Sequence, residues 1–251
     1  MRVFYIEAPF AVCRSFTAGW YRPTATFLTP SSAYGLLLNL AGIETRMPEQ
    51  HPSHPGSVPA TLTQPGLPAI RLALGASTVQ RVGRRDSRDL IESDRYPRVS
   101  TLYQQLHNYP VGTSGAERAS TTFGNKYNIT PVRREVLVDI RAIVAIDGNP
   151  TLESDVCRGL NGELATGRYG LPFVGDNSFL PDRIDQLDTV PRAHWYERID
   201  EESGPVRPRT TRLSVWIDRA DMSRTKSDLF APTSDATSTI PEAAWTAITP
   251  P

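Results

Sequence analysis

The stretch PVRREVLVDIRAIVAI, residues 131–146, carries the strongest strand signal in the chain. Its β-branched residues are Val132, Val136, Val138, Ile140, Ile143, Val144 and Ile146. Branched aliphatic residues at this density favour the pleated surface of a β-sheet. Asp147-Gly148-Asn149 follows directly and has the composition of a turn. The stretch therefore predicts one long β-strand that ends at residue 146.

Strand and helix patterns also occur before this stretch. Residues 3–6 are β-branched and aromatic and predict a first strand. Residues 69–74 alternate apolar with small or basic side chains and predict another strand, which ends at Gly75. Between them, Thr29 is a candidate N-cap because a proline, favoured at the first helical position, follows it. We expect a helix from there to a stop at Gly42.

The downstream pattern completes the predicted fold. Residues 150–164 carry apolar residues at helical spacing, and residues 212–218 alternate as a final strand. This order predicts an α+β fold with a βαββαβ ferredoxin-like core whose second hairpin is drawn out. We expect one domain over residues 1–190 and an irregular, β-rich extension over residues 191–251. Beyond residue 228 the chain is rich in proline, serine and threonine, so it should be at most loosely ordered.

The charge composition gives no general reason to expect a polyanionic partner. The chain has 27 Lys and Arg against 27 Asp and Glu, so a nucleic-acid site must arise from local clustering. Lys126 and Lys226 are the only lysines, and every other basic residue is an arginine. Arginine suits phosphate binding and base stacking, but a genome that disfavours lysine codons explains the same bias.

Cysteine usage and hydropathy indicate a soluble cytoplasmic protein without a cofactor. Cys13 and Cys157 are far apart and belong to no CxxC motif or histidine cluster, so neither a disulfide framework nor a zinc site is expected. The apolar run at the N-terminus is interrupted by Glu7 and Pro9. No apolar stretch approaches the length that crosses a membrane.

Two separated motifs stand out in the chain. The first is AVCRSF, residues 11–16, followed by FLTPSSAYGLL, residues 27–37. It resembles the start of the Cas-five family of CRISPR effector subunits, in which an arginine after the first strand precedes an aromatic-Pro-Ser/Thr segment that opens a Gly-Leu-Leu helix. The second is GLPFVGDNSF, residues 170–179, similar to the Pro-aromatic-aliphatic-Gly run that follows the second helix in the family. Their order and separation make the resemblance more specific than either motif alone.

The resemblance implies a ferredoxin-like, or RRM-like, RNA-binding domain with a thumb-like β-hairpin and a glycine-rich loop. Residues 80–131 fall where this thumb is expected. In the family, the subunit caps the 5′ handle of the guide RNA in a type I effector complex. The expected partners are therefore the guide RNA, the backbone and large subunits, and target DNA near the recognition motif. No membrane partner is expected.

Candidate RNA-binding residues combine position in these motifs with local charge. Residues 81–141 hold eleven Arg and Lys against seven Asp and Glu, where phosphate contacts would concentrate. Helix N–H groups bind phosphate, and glycines permit close backbone approach. A solvated hairpin, a packed tyrosine and ordinary turn glycines are the alternatives. The candidates are Arg14, Arg22, Tyr34, Arg81, Arg84, Arg85, Arg88, Lys126, Arg133, Arg134, Gly170 and Gly175.

Aromatic residues in the predicted thumb provide a second kind of contact. Tyr103, Tyr109, Phe123 and Tyr127 can stack unpaired bases, although about half of them are expected in the core. Asp176 and Asn177 of the second motif have oxygen atoms that could bind a metal, but no second pair of carboxylates stands at metal-binding spacing. We therefore assign these two residues to a turn.

The sequence favours binding over catalysis. Family members that cut the guide precursor need a base for the 2′-hydroxyl and a cation for the developing charge, commonly Tyr, His and Lys together. Here His107 and Lys126 are the only thumb His and Lys, and they are not adjacent. A metal-independent endoribonuclease is thus the second hypothesis. A structural assembly subunit without RNA contact, favoured by the zero net charge, is the third.

Overall fold

The structure is a computed structural model that describes residues 1–14, 21–48, 62–81, 90–92, 96–110, 127–199 and 207–250. The elements are α1 (Pro30–Leu40) and α2 (Pro150–Asn161), with β1 (Arg2–Ala11), β2 (Tyr21–Arg22), β3 (Ile70–Ser77), β4 (Val79–Arg81), β5 (Leu90–Glu92), β6 (Arg98–Pro110), β7 (Tyr127–Asp147), β8 (Arg183–Leu187), β9 (Ala193–Ile199), β10 (Thr211–Trp216), β11 (Lys226–Pro232) and β12 (Thr246–Ile248). The predicted α+β class is confirmed.

The long strand predicted from residues 131–146 is β7, and it lies inside the main sheet. It pairs antiparallel with β1 on one side and with β3 on the other. The sheet runs in the order β10-β11-β9-β3-β7-β1-β8. Strand β12 pairs with residues 70–72 of β3, whereas β9 pairs with residues 75–77. Since α1 lies between β1 and β3 in the chain and α2 between β7 and β8, this order is compatible with a βαββαβ core.

Alternation along β1 separates two hydrophobic cores, one on each face of the sheet. Phe4 and Ile6 point into the larger core together with residues of α1 and α2. Val3 and Tyr5 point to the opposite face, where they pack in a smaller core with Trp195. Both faces of the central strands are therefore covered.

The two helices begin where the sequence predicts and contact each other at a glycine. Thr29 caps α1 by accepting a hydrogen bond from the Ser32 backbone N–H at 3.2 Å. A Cβ at Gly159 of α2 would lie 1.7 Å from the Leu40 carbonyl oxygen, so this close approach requires glycine. The second helix was predicted to residue 164, but it ends at Asn161 because Gly162 is left-handed.

A long hairpin extends beyond the paired core strands. Strands β6 and β7 pair from Arg98 opposite Val138 to Pro110 opposite Tyr127. Strand β1 pairs with β7 only from Leu137 onward, so the first half of β7 is held by β6 and, at residues 133–134, by β2. The predicted drawn-out hairpin is thus present. Its second strand continues past residue 131 into the core, and β4 and β5 form a separate two-stranded ladder.

The C-terminal part adds strands to the same sheet. Strand β11 pairs with both β9 and β10, and β12 pairs with β3. Ile248 in β12 and Phe230 in β11 are almost fully buried. The prediction of a loosely ordered chain beyond residue 228 is therefore wrong, because a few large apolar residues anchor a segment whose overall composition is polar. Strands β8 and β9 were not predicted at all.

The described part of the chain contains no helix that is both long and apolar enough to cross a membrane.

Candidate nucleic-acid interface

The second motif forms a loop that is pressed against the chain just after β1. The Val12 backbone N–H donates to the Val174 carbonyl at 3.3 Å, and the Val174 N–H donates to the Phe179 carbonyl at 2.9 Å. Gly175 has a φ of 75°, and a Cβ there would lie 2.1 Å from the Val12 carbonyl oxygen. Only glycine fits both the conformation and the contact. The loop is therefore held close to the first motif.

Asp176 joins this loop to two other segments. Its Oδ2 accepts one hydrogen bond from Nη2 of Arg14 at 2.5 Å and another from Nη2 of Arg134 at 2.6 Å. Its Oδ1 accepts from the Ser178 backbone N–H at 3.0 Å. Burial alone raises the pKa of Asp176, but the hydrogen bonds from Ser178 and Arg134 outweigh it and hold the pKa below its usual range. Asp176 is thus ionised at neutral pH.

The two arginines on Asp176 differ in exposure. The Arg134 side chain is 5% exposed, lies over the Phe179 ring, and also donates to Gln104 of β6 at 3.1 Å. The Arg14 side chain is 51% exposed. Arg134 therefore holds the hairpin against the loop, whereas Arg14 retains an accessible guanidinium. Of these two arginines, Arg14 is therefore the better placed for a phosphate.

A groove of about 1020 Å³ lies between the first turns of α1 and the loop of the second motif, residues 170–179, which we call the glycine loop. Its walls include Arg14, Ser31, Ser32, Tyr34, Gly35, Asn39, Arg46, Tyr169, Gly170, Leu171, Gly175, Asp176, Ser178, Trp216 and Arg219. The two motifs of the sequence analysis thus form parts of the walls of one groove. Four of the predicted residues meet here, namely Arg14, Tyr34, Gly170 and Gly175.

Positive charge lines this groove. Arg14, Arg46 and Arg219 all border it, where Asp176 is paired with two arginines and the charge of Arg46 is offset by its ion pair with Glu44. Burial and then the charge of Arg14 lower the pKa of Arg219, so two guanidiniums lie near each other. The first turn of α1 contains no acidic residue. Neighbouring cations beside a helix N-terminus favour an anion.

Tyr34 and Gly170 contribute packing rather than charge. The Tyr34 side chain is 3% exposed, and its hydroxyl donates to the Pro68 carbonyl at 2.8 Å. The Gly170 carbonyl accepts from the Asn39 side-chain amide at 3.3 Å. Both residues therefore shape the groove, and the tyrosine hydroxyl is already bonded within the protein.

The remaining candidates lie elsewhere. Arg22 is half-buried in β2 beside Arg134, and Arg133 is exposed on the opposite face of β7. Arg81 belongs to β4 in the separate ladder. The other four, Arg84, Arg85, Arg88 and Lys126, lie outside the described residues.

Sequence reasoning missed four residues of the groove. Asp176 was assigned to a turn, yet its position inside the second motif was a usable signal. Tyr169 precedes that motif, and the Arg46 guanidinium lies 5.5 Å from its ring centroid. Arg46 and Arg219 come from distant segments, and no local pattern indicates that they meet at one groove. Within the described ranges, no three His, Cys, Asp or Glu side chains are grouped to hold a metal ion.

The fold and the groove define an α+β protein with a long β-hairpin beside a glycine loop. No family model and no curated protein sequence matches the chain. Among solved structures, it is similar to a chain of a CRISPR RNA-guided surveillance complex, with a TM-score of 0.50 and 13% identity over 97% of this chain and 95% of that chain. A Cas protein crystal structure has a TM-score of 0.47 and 12% identity over 96% of this chain and 97% of that chain. The first similarity establishes a shared fold.

Proposed function

We propose that this chain is a non-catalytic subunit of a type I CRISPR effector complex that binds and caps the 5′ handle of the guide RNA. The observation that carries the proposal is the arginine-lined groove between α1 and the glycine loop. The backbone and large subunits are its proposed protein partners, and target DNA near the recognition motif is a further proposed neighbour.

The chemistry of the groove suits the end of a single RNA strand. Arg14 and Arg219 offer guanidiniums for phosphate, and the helix N-terminus adds a favourable dipole. Gly170 carries no side chain, so a sugar-phosphate backbone can approach the loop closely. Tyr169 is 39% exposed at the same groove and presents an aromatic ring for stacking. Phosphate contacts and stacking are the two main contributions to binding of unpaired RNA.

The convergence of the two motifs gives independent support. They lie far apart in the sequence, yet Arg14 of the first motif and Asp176 of the second share an ion pair at the groove. A resemblance that arose by chance would have no reason to place both motifs at one site. The shared fold with a CRISPR surveillance complex chain is consistent with this role.

The test uses the reconstituted complex with its guide RNA. Chemical footprinting of the wild-type complex should protect a short segment at the 5′ end of the guide. The double variant Arg14→Ala with Arg219→Ala should lose that protection. It should also lower the slope of log affinity against log salt by about one unit for each lost phosphate contact.

Arg158→Ala provides the matched control. Arg158 lies in α2 and is exposed to nearly the same extent as Arg14, 47% against 51%, but it does not border the groove. This control should leave the footprint and the salt slope unchanged. A fully accessible 5′ end in the wild-type complex would overturn the proposal. An assembled complex with an unaltered slope in the double variant would favour a structural subunit without RNA contact.

A further inference from the structure

We propose that the hairpin carries a second nucleic-acid site, on the face of β7 opposite the Arg134 side chain, where Tyr21, Arg133 and Tyr103 stack unpaired bases. The three residues lie in one row across three neighbouring strands. Arg133 of β7 is the register partner of Tyr21 in β2 and of Tyr103 in β6. We call this row the Tyr-Arg-Tyr platform. It extends the proposed function because it lies apart from the groove.

The exposure of the row argues against a packing role. Tyr103 is 79% exposed, which is exceptional for a large aromatic side chain, and Tyr21 is 46% exposed. Arg133 between them is exposed as well. Burying these rings inside the chain would be favourable, yet the fold leaves them at the surface. An aromatic side chain held at the surface beside an arginine is available for a partner.

The rings are positioned by their neighbours. The Tyr21 hydroxyl donates a hydrogen bond to the Glu135 carboxylate, and the Arg133 guanidinium carbon lies 5.6 Å from the Tyr21 ring centroid. The second Glu135 oxygen accepts from the Thr24 backbone N–H at 3.0 Å. Glu135 therefore has both oxygens engaged in fixing β2 against the hairpin. A preorganised ring loses little freedom when a base stacks on it.

The spacing suits successive bases rather than a single small ligand. Neighbouring strands are about 4.8 Å apart, so the two tyrosines of the row stand roughly 10 Å apart with the guanidinium between them. Aromatic rings and guanidinium planes both stack on nucleobases of any sequence. The Arg133 guanidinium lies over the Tyr21 ring, and the Glu135 carboxylate binds the hydroxyl of the same tyrosine, so a negative charge accompanies the positive one and stacking rather than phosphate attraction should dominate here. Unpaired bases are therefore the ligand that the platform fits.

The platform and the groove are separable because none of the three platform residues borders the groove. Arg134, the next residue along the strand, points to the buried pair with Asp176 at the groove. Arg133 points the other way, since side chains alternate along a strand. Substitutions in the platform should leave the groove intact. The failure of one site can thus be distinguished from the failure of the other.

The test measures binding of the full chain to a 12-nucleotide RNA and to a DNA of the same sequence, both free of base pairing. Each probe carries 2-aminopurine, whose fluorescence changes when it stacks. Tyr103→Ala should weaken binding by about 5- to 150-fold and reduce the fluorescence change, because stacking of one base contributes that much. Tyr103→Phe keeps the ring and should stay within about twofold of wild type.

Val99→Ala is the control on the same strand face. Val99 is 41% exposed but has no aromatic ring, so its loss should leave both probes unaffected. A loss confined to the RNA probe would assign the platform to the guide, and one confined to the DNA probe to a DNA strand. Wild-type binding by Tyr103→Ala for both probes would overturn the proposal. So would an equal loss in Tyr103→Phe, because the hydroxyl and not the ring would then be responsible.

Discussion

Arg134 and Asp176, 42 residues apart in the sequence, form an ion pair of 2.6 Å in which both side chains are more than nine-tenths buried. The pair joins the hairpin to the glycine loop, and Arg14 binds the same carboxylate oxygen from the end of β1. One carboxylate therefore holds three segments together, and two of them, those of Arg14 and Asp176, border the groove. The position of the groove wall depends on it.

Replacing Asp176 with asparagine should destabilise the protein by about 3–5 kcal/mol, because it leaves the buried Arg134 charge without a counter-charge. Denaturant unfolding of wild type and variant, fitted with the same dependence of the unfolding free energy on denaturant concentration, would measure the difference. Asp155→Asn is the control, since Asp155 pairs with the half-exposed Arg158 in α2. Its effect should stay within about 0.5 kcal/mol. Equal effects of the two variants would mean that the Arg134 pair contributes no more than a surface pair.

The stability that the Asp176–Arg134 pair contributes should depend on pH. The pKa of Asp176 is lower in the folded protein than its ordinary value, so the unfolded chain binds its proton first as the pH falls. The stabilisation is complete above the unfolded pKa of about 3.9 and is lost as the pH decreases through the folded pKa. The stability difference between wild type and Asp176→Asn should therefore be constant from about pH 5 to 8 and shrink below about pH 4. Shrinkage already between pH 8 and 6 would contradict this assignment.

Gly175→Ala should be strongly destabilising, whereas Gly170→Ala should not. At Gly175 a new Cβ meets the Val12 carbonyl oxygen at 2.1 Å and φ is positive. These penalties together cost about 2–5 kcal/mol. At Gly170 nothing lies within 4 Å of an added Cβ. That change should alter stability by less than about 1 kcal/mol. Thermal unfolding of both variants, side by side, tests the loop geometry.

The C-terminal strand β12 should contribute measurably to stability. Ile248 is 1% exposed, and truncating a buried isoleucine to alanine costs about 2–5 kcal/mol. The neighbouring Ala247 points to solvent, so Ala247→Ser should change stability by less than about 0.5 kcal/mol. Unfolding of Ile248→Ala at the wild-type midpoint would mean that this segment is only loosely attached.

The predictable parts of the fold were those with strong local signals. The cap at Thr29, the helical spacing of the apolar residues in α2 and the branched residues of β7 mark their elements directly. Strand β8 is short and half-buried, so its alternation is weak. Strand β12 is recognisable only through its pairing with β3, a contact between distant segments. Local periodicity identifies elements that are buried along their length and misses those that long-range pairing stabilises.

The residues of the candidate site also divide into those with a local sequence signal and those that depend on long-range contacts. The resemblance pointed to Arg14 and Gly175 because both lie within quoted motifs, and the structure places them at one groove. Arg219 follows β10 and reaches the groove only after the C-terminal strands have joined the sheet. Asp176 looked like a turn residue because its two arginine partners are remote in sequence. Long-range electrostatic partners are invisible to a reading of local spacing.

We predict that a separate enzyme processes the guide precursor, because the chain has few lysines and no adjacent Lys-His pair. The isolated protein should then leave precursor RNA intact in the absence of added metal. His107→Ala and Lys126→Ala should each leave precursor processing in cells unchanged. A general acid or base contributes about 10²- to 10⁴-fold to a rate, so a catalytic role for either residue would be obvious in such an assay. Cleavage at a single position, abolished by either substitution, would instead make this chain the processing nuclease, with the groove as the site that retains the product.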